Sequence, residues 1–315
     1  MSFDTLLGND RLKQNLAESL AKNHISHFYL ISGPRGSGKK TLAVSLAQAI
    51  LCRGHRKPCG VCEPCRKIQN GNHPDFITVE DPEHKNVAVK IVRQFREDVF
   101  IRPNESDYKV YLFPQDLGVE GQNALLKILE EPPKYGIFLL LTDNPEKILP
   151  TVRSRCTELK MLALPRETLM TYLSARFPQT PREDITAAAE RSGGFLGQAL
   201  ELLESGGAVP PQTTDLVNAL CARDPLLLAE VLIPMEKWKR DALGEILQNW
   251  LELAEEALAQ RSGRPALSPL ARTLSQSRTS AELLDISQCL KKAADYTMSN
   301  VSPAAVCGWL VWALR

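Results

Sequence analysis

An α/β fold with a parallel sheet, continuing into purely helical segments, is the architecture predicted for this 315-residue chain. Three observations predict it. A short apolar run, His27-Phe28-Tyr29-Leu30-Ile31-Ser32, opens onto a glycine-rich stretch and then a helix-forming one. Further apolar runs of strand length alternate with amphipathic segments as far as Met161. Beyond Met161 the strand signals stop and helical periodicity takes over.

Taken in order, residues Asp10 to Lys22 place Leu12, Leu16 and Leu20 on one helical face. The first strand, its glycine-rich loop and a helix from Lys40 to about Leu51 follow. Phe76-Ile77-Thr78-Val79 reads as a second strand. Val87 to Val99 suits a helix, with Val92, Phe95 and Val99 in register. Lys109-Val110-Tyr111-Leu112-Phe113 is a third strand. Gly121 to Glu131 is helical and is stopped by Pro132-Pro133. Ile137 to Thr142, apolar almost throughout, is the fourth strand, of the kind buried on both faces. The run Ser205-Gly206-Gly207-Ala208-Val209-Pro210-Pro211 reads as a linker.

The length suggests two or three units, and 43% hydrophobic residues supply material for their cores. A net charge of +1 excludes a global basic field for nucleic acid. Lys90, Arg93 and Arg96 read as a solvated helix face. The start has no charged segment leading into an apolar one, and no apolar run has transmembrane length. The expectation is a soluble, cytoplasmic protein with no membrane contact.

Gly33-Pro34-Arg35-Gly36-Ser37-Gly38-Lys39-Lys40-Thr41 follows the phosphate-loop pattern G-x-x-x-x-G-K-[ST] with one fault. Such a loop cradles phosphates with backbone N–H groups, neutralises them with its lysine and ligates Mg²⁺ with its hydroxyl. Gly33, Gly36, Gly38 and Lys39 suit that task. The hydroxyl position holds Lys40, and Thr41 comes one residue late, turned by about 100° on the helix. Anion binding at the helix N-terminus survives such a change, so ATP or ADP binding stays open at this stage. A hydrolysing site also needs an acidic pair after the third strand. There the chain has Pro114-Gln115-Asp116. Two losses at metal-handling positions argue against hydrolysis.

Cys52, Cys59, Cys62 and Cys65 offer four soft ligands with knuckle spacing, and Pro58, Gly60 and Pro64 supply turns. A closed shell of four cysteines points to structural Zn²⁺, with nearby Arg53, Arg56, Lys57, Arg66 and Lys67 offsetting the thiolate charge. His55 and His73 read as surface residues, and Cys156, Cys221, Cys289 and Cys307 as small buried hydrophobes.

With these residues in hand, the chain resembles the clamp-loader subunits of bacterial DNA polymerase III, within the AAA+ class. The resemblance covers most of residues 1 to 200. It rests on His27 to Gly36, the inserted cysteines and Gly71-Asn72-His73-Pro74-Asp75. It also rests on Asn123-Ala124-Leu125-Leu126-Lys127-Ile128-Leu129-Glu130-Glu131-Pro132-Pro133 and on Ser154-Arg155-Cys156. It implies an AAA+ phosphate-loop core over 1–160 with a zinc module at 52–65. A helical lid over 161–207 and an oligomerising helical collar over 208–315 would follow. Beyond residue 208 only length and helical character agree.

Two paralogue types share these motifs: a hydrolysing gamma/tau type and a non-hydrolysing delta-prime type. The faulty loop, the missing acids and Gly197, where the motor type has a nucleotide-sensing lid arginine, point to the second. The resemblance makes Arg155 an arginine finger acting on a neighbouring subunit's ATP. Without it, Arg155 would merely cap the nearby strand and pair with a carboxylate such as Glu158. Thr142 falls at the sensor position. The implied partners are gamma/tau-type and delta-type subunits, with primed DNA and the sliding clamp reached through the complex. The competing readings are an ATPase motor that tolerates Lys40 and a free-standing zinc-stabilised nucleotide switch.

Overall fold

The computed structural model describes the chain apart from residues 1, 2, 4, 83, 85, 205–209, 264–267 and 300. It divides into two compact units, Met1–Ser205 and Gly206–Arg315. Most of the expected linker, 205–209, lies outside the described residues.

The first unit runs α1 (Asp10–Ala21), β1 (Phe28–Ser32), α2 (Lys39–Leu51), α3 (Glu63–Gln69), β2 (Phe76–Thr78), α4 (Val89–Asp98) and β3 (Lys109–Phe113). It continues through α5 (Val119–Glu130), β4 (Gly136–Thr142), α6 (Pro150–Arg153) and β5 (Thr157–Lys160). Three helices end it: α7 (Arg166–Arg176), α8 (Arg182–Arg191) and α9 (Leu196–Glu204). The strands form one parallel sheet in the order β2-β3-β4-β1-β5. Alternation along the strands sends Tyr29, Ile31, Val110, Leu112, Leu139 and Leu141 to one face, under α1 and α2. Phe28, Leu30, Tyr111, Phe113, Phe138 and Leu140 face the other way, against α4 and α5. Both faces are covered, which is why β1, β3 and β4 are buried throughout. Phe138 stacks on Phe28 at 4.3 Å and on Tyr111 at 5.4 Å, with Phe95 of α4 set edge-on.

Four strands are expected from sequence, and a fifth is present. In Thr157-Glu158-Leu159-Lys160 only Leu159 is buried, so β5 presents no apolar run. It is an edge strand held by backbone pairing to β1. Asn9 extends that edge. Its side-chain oxygen accepts from the Leu162 N–H at 2.9 Å and its amide nitrogen donates to the Leu162 carbonyl at 3.4 Å. The amide thus stands in for one more strand residue, next to the root of the helices α7–α9.

Those three helices share a small core of Leu169, Leu173, Ile185, Ala189 and Ala199. The second unit is helical over its described residues: α10 (Pro211–Ala222), α11 (Pro225–Leu232), α12 (Arg240–Arg261), α13 (Pro269–Ser277), α14 (Ser280–Met298) and α15 (Pro303–Ala313). Trp250 of α12 is fully buried at its centre, and its indole N–H donates to Thr213 Oγ1 at 2.8 Å, so burial leaves no unpaired polar group there. Arg278 satisfies the open C-terminus of α10 by donating to the Leu220 carbonyl. No helix among the described residues is long and apolar enough to cross a membrane.

Candidate functional site

The ends of β1 and β4 lie side by side, Ser32 opposite Thr142, and this register builds the site. The loop leaves β1 with the Gly33 N–H donating to the Thr142 carbonyl at 3.2 Å. It then turns through Gly36 (φ 75°) and Gly38 (φ 90°), a backbone that side chains resist, to start α2. Residues 33–41 therefore sit at the carboxyl edge of the sheet, the usual ligand position in such folds.

Lys39 is turned inward. Its ammonium donates to the Gly33 carbonyl at 2.6 Å, the Pro34 carbonyl at 2.9 Å and Asp143 Oδ1 at 2.6 Å. Lys40 and Thr41 are exposed. The Ser37 hydroxyl is buried without a hydrogen-bond partner. A cleft of roughly 460 Å³ opens beside the loop, with Thr5, Leu6 and Leu7, Leu162 and Leu164, and Phe195, Leu196 and Leu200 in its wall. The glycine turn thus suits a phosphate, while the position directly after Lys39, where a hydroxyl would hold Mg²⁺, is Lys40.

Helix α9 closes down on the loop. The Gly197 N–H donates to the Gly36 carbonyl at 2.8 Å, Gln198 Nε2 donates to the Arg35 carbonyl at 2.9 Å, and Arg35 pairs with Glu201. Gly197 occupies this point because a side chain there would strike the loop backbone.

At the end of β3, Gln115 is committed to the 81–84 segment. It accepts from the Asp81 N–H and donates to the carbonyls of Asp81 and His84. Asp116 accepts a hydrogen bond from the Thr142 hydroxyl at 2.9 Å. Thr142 is buried, and its hydroxyl oxygen also accepts the Asn144 N–H at 3.3 Å, so it links β3 to the loop after β4.

The cysteines converge. The sulfurs of Cys52, Cys59, Cys62 and Cys65 all lie within 4.8 Å of one another, with 3.8 Å between Cys52 and Cys62. A tetrahedron with metal–sulfur bonds of about 2.3 Å has edges of about that length. The Gly54 N–H points at Cys52 Sγ and the Cys62 N–H at Cys59 Sγ, both at 3.3 Å. N–H groups from Val61 and Cys62 pull the Cys59 thiol down to about 6, whereas burial pushes Cys52 and Cys65 up. The donor set fits a structural metal ion.

The knuckle is strapped to the rest of the unit. Lys67 of α3 reaches both carboxylate oxygens of Glu105, and Arg53 donates to the Glu105 carbonyl at 2.5 Å. Fully buried Asp75 holds the same loop by accepting the N–H groups of Asn104, Glu105 and Ser106. His73, expected at the surface, is 3% exposed: its Nδ1 accepts the Asp75 N–H, and burial lowers its pKa. The sequence signal for this clasp was the Gly71–Asp75 run itself. His55 is exposed.

Arg155 lies after α6, exposed. It donates to the Thr151 carbonyl at 2.8 Å and pairs with Glu130 at the end of α5 at 3.3 Å. Glu158 belongs to Arg153, which also holds Glu146. Burial pushes the adjacent Cys156 thiol up to about 11.

The family described as "DNA polymerase III, delta subunit" matches residues 8–165, half of the chain. The chain belongs to that family. Among its curated relatives, DNA polymerase III subunit gamma/tau of Mycobacterium tuberculosis is 33% identical over 70% of the chain. Subunit tau of Bacillus subtilis is 28% identical over 90%, and subunit tau of Escherichia coli 36% over 64%. The chain spans 37%, 48% and 32% of those relatives' lengths. A gamma subunit-related protein of Thermotoga maritima shares the fold over 97% of this chain and 99% of its own (TM-score 0.50, 16% identity).

Proposed function

We propose that this chain is the non-hydrolysing, delta-prime-type subunit of a cytoplasmic clamp loader. In this reading residues 1–160 form the AAA+ core, 161–207 the lid and 208–315 the collar that joins it to gamma/tau-type and delta-type subunits. The observation that carries it is Gln115. Where a motor places metal-holding acids, this side chain is committed to the backbone of Asp81 and His84. Lys40 in place of the loop hydroxyl supports the same conclusion.

Zn²⁺ on Cys52, Cys59, Cys62 and Cys65 would fasten the knuckle without chemistry, since four thiolates leave no open position. Arg155 supplies the catalytic contribution in trans. Its exposed, planar guanidinium suits the phosphate oxygens of a neighbour's ATP, where a finger is worth about 10³–10⁵ in rate. Thr142, at the sensor position, is tied to Asp116 and serves the strand ends. Primed DNA and the sliding clamp are met through the assembled complex.

A second reading, an ATP-hydrolysing gamma/tau-type motor, is favoured by the curated relatives above, which are gamma/tau and tau subunits. Two measurements separate the readings. The purified chain, with primed DNA and Mg²⁺, is expected to show no ATP turnover, and Lys40→Thr is expected not to restore it. Reconstituted with a gamma/tau-type subunit, the wild-type chain is expected to support DNA-stimulated hydrolysis that Arg155→Ala slows. Turnover by the chain alone at motor-like rates would assign it to the motor type.

A further inference from the structure

Lys39 has three N–H donors, and all three are spent inside the protein. Two go to carbonyls of the loop itself. The third goes to a carboxylate, Asp143, at 2.6 Å. The lysine is 12% exposed and its partner 60% exposed, so the pair sits at the lip of the cleft with only the carboxylate facing water. Asp143 directly follows Thr142, whose carbonyl is hydrogen-bonded to Gly33 and whose hydroxyl is anchored on Asp116 and Asn144. The aspartate's backbone is therefore fixed within reach of the loop lysine by the β1–β4 register.

A phosphate in the cradle needs that lysine as its counter-charge. Here an anion of the chain's own already holds it. We infer that Asp143 is a built-in competitor for the phosphate loop, an intramolecular carboxylate that takes Lys39 in place of a phosphoryl group and keeps the cleft unreceptive to nucleotides. The effect has two parts. An incoming phosphate must break a charge-assisted hydrogen bond to reach Lys39, and it meets a negative charge at the lip while doing so. Gly36 and Gly38 keep a positive φ, while the Ser37 N–H is turned onto the Pro34 carbonyl at 3.1 Å.

This goes beyond the subunit assignment and is tested on the full chain alone, without partner subunits, so the two stand or fall separately. Binding of ADP, and of pyrophosphate as a base-free probe, is measured by titration calorimetry at constant ionic strength without added divalent metal. Wild type, Asp143→Asn and Asp143→Asn/Lys39→Ala are compared. Asp143→Asn is expected to bind both probes about tenfold tighter than wild type, the scale of one charge-assisted hydrogen bond withdrawn from competition. The double variant is expected to lose that gain. Equal affinity in wild type and Asp143→Asn, or no detectable binding in either, overturns the inference. A gain that survives Lys39→Ala overturns it as well, because the aspartate would then act through general charge and not through the lysine. Circular dichroism of each variant confirms that it is folded.

Discussion

Gly36 and Gly197 meet backbone to backbone. A Cβ on Gly197 would lie 2.6 Å from Gly36 Cα, and one on Gly36 would lie 2.5 Å from the Gln198 nitrogen. Neither obstacle is a flexible side-chain tip, so the backbone itself has to move. Gly197→Ala is therefore expected to destabilise the first unit by about 1–3 kcal/mol, the ordinary cost of overpacking. Gly36→Ala adds the strain of its φ of 75°. Thermal unfolding measures both, and limited proteolysis at Gly193–Leu196 reports whether α9 lifts. Gly197→Arg, which would mimic a motor-type lid, is expected to be worse than alanine and to bring no nucleotide response.

Metal content gives the second prediction. Protein purified without added metal is expected to carry close to one equivalent of zinc, which Cys62→Ser removes. Under about a tenth of an equivalent, with the thiols reactive, would contradict a closed tetrahedral shell. Structural metal energy is folding energy for its own loop. Hydrogen exchange in Cys62→Ser is thus expected to rise over residues 53–67 and, through Lys67 and Glu105, over 104–106. Exchange in β1, β3 and β4 is expected to stay slow, because those strands are buried by other contacts.

Arg155 and Glu130 form an exposed ion pair, and such pairs contribute about 0–1 kcal/mol to stability. Arg155→Ala is accordingly expected to melt within a few degrees of wild type while slowing hydrolysis in the reconstituted complex. Lysine is expected to rescue poorly, since a point charge lacks the guanidinium fork. Glu130→Gln releases the arginine without removing it. If the pair holds the guanidinium in place, the variant changes the complex's rate while leaving assembly intact. Unchanged hydrolysis in all three, with assembly verified by size, would make Arg155 a purely structural residue.

The second unit carries a pH signature. Glu282 closes a capping box at the start of α14, and its carboxyl is held down to about 2, first by the Thr279 backbone N–H and then by the Thr279 hydroxyl, with Arg223 and Arg278 beside it. Because the folded pKa lies below the ordinary carboxylate value, the stabilisation is present in full above that value, about 4.3. It fades as pH falls below about 4 and is gone below about 2. Acid titration of wild type and Glu282→Gln is expected to show a stability gap near neutral pH that closes on strong acidification. A gap independent of pH would assign the effect to packing instead.

Much of this was readable in the chain because the informative residues are periodic or clustered. The buried strands β1, β3 and β4 announce themselves as apolar runs, and the four cysteines by spacing. β5 was invisible because three of its four side chains face water and its stability comes from backbone pairing. The short helix α3 hid inside the cysteine spacing. His73 looked like a surface residue because burial of a polar ring depends on its neighbour, here the Asp75 N–H. The pairing of Arg153 with Glu158, and of Arg155 with Glu130, follows from where α6 ends. The fit of Gly197 on Gly36 joins residues far apart in the chain, and although each stood out in the sequence for another reason, their contact shows only when the helix is placed.

The amide of Asn9 has a practical consequence for anyone handling this protein. It clamps the segment before α1 to Leu162, and the neighbouring Thr5, Leu6 and Leu7 line the cleft. Affinity tags and fluorophores are commonly fused at residue 1, and here they would be joined only a few residues from the very opening whose occupancy is to be measured. A ligand titration on protein tagged there is therefore to be set against one on untagged protein. A label on Arg315 belongs to the other unit. Comparing the two placements is the control by which an apparent affinity can be assigned to the protein and not to its tag.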